Sequence, residues 1–225
     1  MPGFALAPLK IALAGVLLYA PACFGAAPAC VPCSPRESDD PKTLLDRGNA
    51  RFRGDRSQHP RANVTCLRRL EVQGKDCQPP FAVVLSCSDS RFSPEILYDQ
   101  GVGDLFVVRV AGNVATPEIM GSIEYAVNNL GVRYVVVLGH ERCGAVKAAF
   151  TNPPPNIPEH LNSLWKLIRP NIQQPFDDAN WDLSARRNVK ATVEYLKQNL
   201  RLVPTADTTI VGAYTKLKDG EIGEP

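Results

Sequence analysis

The segment FAVVLSCSDSR (residues 81–91) runs from an apolar stretch into a cysteine, an aspartate and an arginine at alternate positions. A β-strand places residues i, i+2 and i+4 on one face. If the extended geometry continues beyond the apolar stretch, Cys87, Asp89 and Arg91 converge on one point. A thiol, a carboxylate and a guanidinium together are not typical of a protein core. The end of this strand is therefore a candidate functional site.

Three other apolar runs have a similar composition and length. They are LFVVRV (105–110), YVVVLG (134–139) and TTIVGAY (208–214). Valine-rich runs that alternate with helical patterns are typical of a parallel sheet buried on both faces. We therefore predict an α/β fold with a mostly parallel central sheet flanked by helices. Ligand sites in such sheets lie at the carboxyl ends of the strands.

Helical patterns fill the sequence between these runs. Asp40 as N-cap and Pro41 at the first helical position mark the first helix. A later helix is expected from the Thr116 cap to Gly131. Further helices are expected at 61–72, from residue 93, from Gly144, within 159–169 and from about residue 183 to residue 200.

A second polar motif follows the third apolar run, in VVVLGHERCG (135–144). It contains His140 and Cys143, so two strands of the predicted sheet each end in metal-ligating side chains. With Cys87 they form a nitrogen-and-sulfur set suited to zinc. Three protein ligands leave one tetrahedral position open for a water, whose pKa the metal lowers to about 7.

Asp89 and Arg91 have a role beside such a metal. A bidentate arginine–carboxylate pair fixes the orientation of the carboxylate. Asp89 then accepts a hydrogen bond from the zinc-bound hydroxide and orients this nucleophile toward the substrate. If Arg91 is withdrawn, Asp89 itself closes the fourth zinc position and blocks catalysis. Both arrangements are compatible with the sequence.

The two motifs together resemble the β-class carbonic anhydrases. The resemblance covers the chain from about Leu44 to Tyr214, and its motifs are CSDSR (87–91), LFVVRVAGN (105–113), GHERCG (139–144) and IVGAY (210–214). It implies the strand order 2-1-3-4, with a possible extra edge strand. It also implies a homodimer or higher even oligomer, in which the N-terminal helix wraps the partner subunit. The site residues that it implies are one zinc per subunit on Cys87, His140 and Cys143, with Asp89 and Arg91 as the catalytic dyad.

The activity that the resemblance implies is the reversible hydration of carbon dioxide to bicarbonate and a proton, with zinc-bound hydroxide as the nucleophile. Gln78 matches a family glutamine that hydrogen-bonds a substrate oxygen across the dimer interface, and Gly144 is expected to orient substrate oxygens through its main chain. Some members carry a tryptophan three residues before the first zinc cysteine, as part of an inactive state. Val84 stands at that position here, which favours the subgroup whose site stays open.

The first residues differ from the rest of the chain. One lysine precedes an apolar stretch from Ile11 to Ala20, and small residues follow. This layout is typical of a secretory signal. We expect a signal peptide at 1–25, a linker at 26–39 and a single domain at 40–225. The predicted localisation is the periplasm, with no membrane span after cleavage and with lipid attachment at Cys23 as a variant.

Four cysteines remain after Cys23 and the two metal ligands are set aside, namely Cys30, Cys33, Cys66 and Cys77. In an exported protein they predict two disulfides, and three pairings are open. The net charge of +2 indicates no nucleic-acid partner. Three alternatives to a carbonic anhydrase remain: a carbon disulfide or carbonyl sulfide hydrolase with the same site, a non-catalytic zinc-binding protein closed by Asp89, and a thiol redox protein that uses Cys30 and Cys33.

Overall fold

The computed structural model describes residues 36, 38, 40–73, 77–203 and 207–225. The predicted signal peptide, Cys23, Cys30 and Cys33 lie outside these residues, so the expectations about them stay predictions. Within the described ranges, no helix has the length and apolar character that crossing a bilayer requires.

One sheet of five strands organises the chain, in the order β2-β1-β3-β4-β5. Four strands are parallel, and the short fifth strand pairs antiparallel with β4 at the edge. The predicted order 2-1-3-4 and the extra edge strand are both confirmed. The strands are β1 (Ala82–Ser86), β2 (Leu105–Arg109), β3 (Tyr134–His140), β4 (Thr209–Thr215) and β5 (Ile222–Gly223).

Seven α-helices flank this sheet in the described part of the chain. They are α1 (Pro41–Arg53), α2 (Val64–Val72), α3 (Pro94–Leu97), α4 (Pro117–Leu130), α5 (Gly144–Ala148), α6 (Glu159–Ile168) and α7 (Asp178–Asn199). Two short 3₁₀ turns, Ala111–Asn113 and Arg169–Asn171, follow β2 and α6.

Several predicted boundaries were wrong, most of them at strand ends by a single residue, and three of them are as follows. The helix expected from residue 183 begins at Asp178, because the side chain of Asp177 accepts a hydrogen bond from the Asn180 N–H at 2.7 Å. The helix expected from residue 61 begins at Val64, capped by Asn63. The third strand does not end before His140, because its pairing with β4 continues to this residue.

Alternate residues of the central strands face two different cores. Val83 and Leu85 pack with α4 and α7 on one side, while Ala82 and Val84 pack with α1 and α3 on the other. All five residues of β1 are buried, as expected for a parallel sheet covered on both faces. Cys87 has the parity of Val83 and Leu85 and belongs to their cluster, so this candidate ligand lies on the α4–α7 side of the sheet.

The helix α7 lies unusually close to the sheet. A β-carbon added at Gly139 of β3 would lie 2.2 Å from Cγ2 of Val189, and one at Gly212 of β4 would lie 2.9 Å from Cγ1 of the same side chain. Only glycine permits this close approach. As a consequence, polar side chains on the buried face of α7 reach the end of the sheet where β1 and β3 finish.

Candidate metal centre

Two neighbouring strands and one tight turn bring the three predicted metal ligands together. Cys87 directly follows β1, and His140 ends β3, which pairs with β1. Cys143 returns to the same place because Arg142 adopts a left-handed backbone conformation with φ 54°. The Sγ atoms of Cys87 and Cys143 lie 4.0 Å apart, and all three ligand atoms lie within 4.8 Å of one another.

The geometry of this cluster fits a tetrahedral zinc ion. Two thiolates bound to zinc at about 2.3 Å lie about 3.8 Å apart, close to the observed separation of the two sulfurs. Nδ1 of His140 lies 2.9 Å from the carbonyl oxygen of Glu141, which assigns the ring proton to Nδ1 and leaves the Nε2 lone pair for a metal. Nε2 is buried without a hydrogen-bond partner. Among the described residues, no other such group of His, Cys, Asp or Glu side chains converges.

The two sulfurs lie within hydrogen-bonding distance of each other, and either thiol can be the donor. The contact with Cys143 lowers the pKa of the Cys87 thiol against the effect of burial, and His140 and the Gly112 N–H add to this effect. The contact with Cys87 and burial together raise the pKa of the Cys143 thiol. Both cysteines are unpaired thiols. Binding of a divalent metal requires both thiols in their deprotonated form, and the lowered pKa of Cys87 favours that form for the first ligand.

Asp89 lies beside the cluster without being part of it. Nε and Nη2 of Arg91 donate to its two carboxylate oxygens at 2.9 and 2.8 Å, and the Arg91 main-chain N–H adds a third bond at 3.0 Å. The Arg91 side-chain bonds lower the pKa of Asp89 to about 2. Oδ2 of Asp89 lies 4.0 Å from Nε2 of His140. The carboxylate is therefore ionised, held by Arg91 and close to the imidazole of the cluster.

The backbone that achieves this pairing is not the predicted one. The chain leaves the sheet at Ser86 and turns at residues 90 and 91, so the expectation of continued extended geometry was wrong. The turn brings the Arg91 guanidinium back onto Asp89.

Arg109 is a residue whose role sequence reasoning missed. It donates to three main-chain carbonyl oxygens, those of Cys87, Asp89 and Phe92, at 3.0, 2.7 and 2.8 Å. It thereby fixes the loop that carries the first ligand and the carboxylate. An arginine 22 positions after Cys87 has no spacing rule that would have revealed these partners.

The remaining predicted site residues lie at different places. Gly144 follows Cys143, is exposed, and has open space where a β-carbon would lie. Gln78 is exposed and precedes the amino end of β1, whereas Cys87 follows its carboxyl end. Since five strand residues span about 16 Å, Gln78 is not brought to the metal cluster of its own chain. Val84 is buried in the sheet.

Comparison with known proteins identifies the family to which this site belongs. Residues 82–222 match the family model described as "Carbonic anhydrase". "Carbonic anhydrase 2" of Mycobacterium tuberculosis is 50% identical over 105 residues, which cover 47% of this chain and 49% of the relative. The carbonic anhydrase of Mycolicibacterium smegmatis is 51% identical over 110 residues, which cover 49% of this chain and 51% of the relative. The chain thus spans about half the length of these curated relatives.

Solved structures extend the likeness over most of the chain. The β-carbonic anhydrase CafA of Aspergillus fumigatus matches with a TM-score of 0.63 and 26% identity, covering 83% of this chain and 91% of that chain. One of two tetrameric β-carbonic anhydrases of Sordaria macrospora matches with a TM-score of 0.60 and 26% identity, covering 81% of this chain and 95% of that chain. On the family model, the sheet order and the converging cysteine, histidine and cysteine, this chain belongs to the β-carbonic anhydrase family.

Proposed function

We propose that the protein catalyses the reversible hydration of carbon dioxide to bicarbonate and a proton, with one zinc ion per subunit held by Cys87, His140 and Cys143. The observation that carries this proposal is the convergence of three buried ligand atoms within 4.8 Å while Asp89 stays outside their group. Three ligands and a carboxylate held away leave one coordination position for a reacting molecule.

A zinc ion held by these three residues would supply a water acidified to a pKa of about 7 as the source of the nucleophile for carbon dioxide. Asp89, with a pKa of about 2, is fully ionised at neutral pH, so it accepts hydrogen bonds and does not carry the proton. Arg91 occupies its oxygens from one side and leaves the other side to orient the nucleophile. The ring of Phe92 lies with its centroid 4.5 Å from that of His140 and shields the imidazole from water.

The substrate-binding roles of Gly144 and Gln78 are part of the proposal. Open space beside Gly144 leaves room for a substrate oxygen near its main chain. Gln78 lies at the opposite edge of the sheet from the cluster in its own chain, so it acts in a second subunit. This supports a homodimer or higher even oligomer, and the relatives from Sordaria macrospora are tetrameric.

We further propose that the protein is exported to the periplasm and carries disulfides there. The apolar stretch from Ile11 to Ala20 supports export. The sulfurs of Cys66 and Cys77 are disulfide-bonded, whereas the two cysteines of the metal cluster are free. This separation supports an oxidising compartment in which zinc protects the catalytic thiolates.

Zinc stoichiometry and stopped-flow hydration of carbon dioxide test the proposed activity. We expect one zinc per subunit in the wild type and in Asp89→Asn, with hydration reduced about a hundredfold in the variant because its amide cannot replace an ionised acceptor. Asp55→Asn, an exposed aspartate in the turn after α1, is the matched control and should keep full activity. A zinc-loaded wild type that hydrates no carbon dioxide, or that hydrolyses carbon disulfide faster, would contradict the proposal.

A further inference from the structure

A fully buried amide on α7 is connected to the metal cluster through the main chain. Asn188 has no exposed surface. Its Nδ2 donates to the carbonyl oxygen of Gly112 at 2.7 Å, and its Oδ1 accepts a hydrogen bond from Nδ2 of Asn171 at 3.0 Å. A buried amide needs partners for both its donor and its acceptor. Asn171 and Gly112 provide them on opposite sides of Asn188.

Gly112 is the residue through which this amide reaches the metal cluster. Its main-chain N–H donates to Sγ of Cys87 at 3.3 Å. Its φ of 75° lies in the left-handed region, and a β-carbon there would lie 2.5 Å from Cδ1 of Ile168, so both conformation and packing require glycine. Glycine is also the residue with the greatest backbone freedom. The carbonyl oxygen and the N–H of Gly112 belong to neighbouring peptide planes joined by its φ and ψ angles, so a hydrogen bond to the carbonyl oxygen holds one plane and restricts the rotations that would turn the N–H away from Cys87.

We propose that Asn188 is a positioning residue for the first metal ligand: it fixes Gly112, so that the Gly112 N–H stays directed at the Cys87 sulfur. This inference rests on the proposed zinc site. An N–H donor stabilises the thiolate and orients the lone pair that binds the metal. Groups that orient metal ligands in this way typically change metal affinity by about ten- to a hundredfold when they are removed. Asn171 acts one step further out, because it orients the amide of Asn188.

A purely structural role for Asn188 makes a different prediction. Any buried polar side chain on α7 stabilises the fold, and Ser184 is the matched case one helical turn earlier. Ser184 is also fully buried, and its Oγ accepts a hydrogen bond from the Gln173 N–H at 2.8 Å. That bond leads away from Gly112. Ser184→Ala therefore reports the cost of losing a buried hydrogen bond on this helix without any effect on Cys87.

The test measures zinc release from the folded holoprotein to a chromogenic chelator, together with urea unfolding. We expect Asn188→Ala to release zinc about ten- to a hundredfold faster than the wild type, Asn171→Ala to release it faster by a smaller factor, and Ser184→Ala to release it at the wild-type rate. In cobalt-substituted protein, the thiolate-to-metal charge-transfer band should shift in Asn188→Ala and stay in place in Ser184→Ala.

The outcomes separate this inference from the proposed function. A wild type without bound zinc overturns both. A zinc-loaded wild type whose release rate and cobalt spectrum are unchanged in Asn188→Ala, or changed equally in Ser184→Ala, overturns the role of Asn188 alone. If Asn188→Ala does not fold, Asn171→Ala decides, because its half-buried side chain lies on the 3₁₀ turn after α6: faster release supports the role and wild-type release overturns it.

Discussion

The amino-terminal ends and the carboxyl-terminal ends of the parallel strands, here called the amino edge and the carboxyl edge of the sheet, bury polar groups in opposite ways. At the amino edge, the carboxylate of Asp104 is buried just before β2, with Arg61 at 2.6 to 2.9 Å and the Gly101 N–H at 2.8 Å. At the carboxyl edge, Nε2 of His140 is buried beside two sulfurs and has no hydrogen-bond partner. A buried charge with its partners present contributes to the fold, whereas a buried ligand atom without a partner indicates a group from outside the chain.

Whether a buried polar group has its partners within the chain distinguishes a structural cluster from a functional site more clearly than residue type does. Each edge combines charged or metal-ligating side chains at short distances, and each would be noticed in a search for polar clusters. At the amino edge, the buried carboxylate of Asp104 is paired within the chain, with Arg61 and with Arg36. At the carboxyl edge, Nε2 of His140 has no hydrogen-bond partner within the chain and lies beside two sulfurs that can bind the same ion. Variants at the two edges should therefore affect different measurements.

The largest effect is expected from Cys87→Ser at the carboxyl edge. An alcohol remains protonated at neutral pH and is a poor ligand for zinc, so the bound zinc should fall from one per subunit to nearly none. Hydration of carbon dioxide should then fall by at least about a thousandfold, because the acidified water is lost. Metal analysis and stopped-flow kinetics check this result. Full zinc content and activity in Cys87→Ser would place the metal elsewhere.

The opposite pattern is expected from Asp104→Asn at the amino edge. Removing one partner from a buried ion pair costs about 3–5 kcal/mol of the free energy of unfolding, because the Arg61 guanidinium stays buried without its counter-charge. Urea unfolding measures this loss. The control is Asp219→Asn, whose exposed pair with Arg53 at 3.8 Å should contribute less than about 1 kcal/mol. Zinc loss from folded Asp104→Asn, without loss of stability, would break the comparison between the two edges.

An intermediate effect is expected from Arg91→Ala. Asp89 keeps the main-chain N–H of residue 91 but loses two side-chain hydrogen bonds, so its carboxylate can turn toward the metal. We expect kcat/KM to fall about ten- to a hundredfold at unchanged zinc content, because a displaced orienting group costs about that much. The kcat/KM of Arg91→Lys should lie between those of the wild type and Arg91→Ala, since lysine keeps the charge but cannot form the bidentate pair. Lys190→Ala, at an exposed site on α7, is the control. Equal losses of kcat/KM in Arg91→Ala and Lys190→Ala would contradict the role of Arg91.

The smallest effect concerns pH and a second buried carboxylate, Asp99, between α3 and β2. Burial raises its pKa, but hydrogen bonds from Arg51 and from the N–H groups of Gln58 and His59 outweigh burial and lower it. A carboxyl whose folded pKa lies below its unfolded value of about 3.9 stabilises the protein above that pH, and this contribution is lost as the pH falls through the folded pKa. Between about pH 5 and about pH 3, the wild type should therefore lose more unfolding free energy than Asp99→Asn. Parallel losses in urea unfolding would exclude this contribution.

Local patterns in the sequence predicted the parts of the molecule that depend on neighbouring residues. The apolar runs predicted four parallel strands, and the Cys87 and His140–Cys143 motifs predicted side chains that the structure brings within 4.8 Å. Strand alternation predicted the wrong backbone at Asp89 and Arg91, because the strand ends at Ser86 and the chain turns at residues 90 and 91, where the bidentate pair forms.

The hydrogen bonds from α7 to the main chain around the metal ligands join residues far apart in the sequence, and no local pattern predicts them. Asn188 and Gly112 are 76 residues apart and meet only because glycines at 139 and 212 admit α7 close to the sheet. Trp181 likewise donates from α7 to the carbonyl oxygen of Cys143 at 2.9 Å. Asn188 and Trp181 are residue types that occur on many buried helix faces, so neither residue type nor spacing indicated their roles.

X-ray absorption at the zinc edge of the holoprotein tests the central claim most directly, namely that one metal ion is shared by two sulfurs and one imidazole and keeps an exchangeable position. The expected spectrum has two sulfur neighbours at about 2.3 Å, one nitrogen at about 2.0–2.1 Å and one further light atom, and the light atom should persist in Asp89→Asn. A zinc ion with four protein sulfurs, a shell without sulfur, or a fourth ligand that disappears in Asp89→Asn would contradict it.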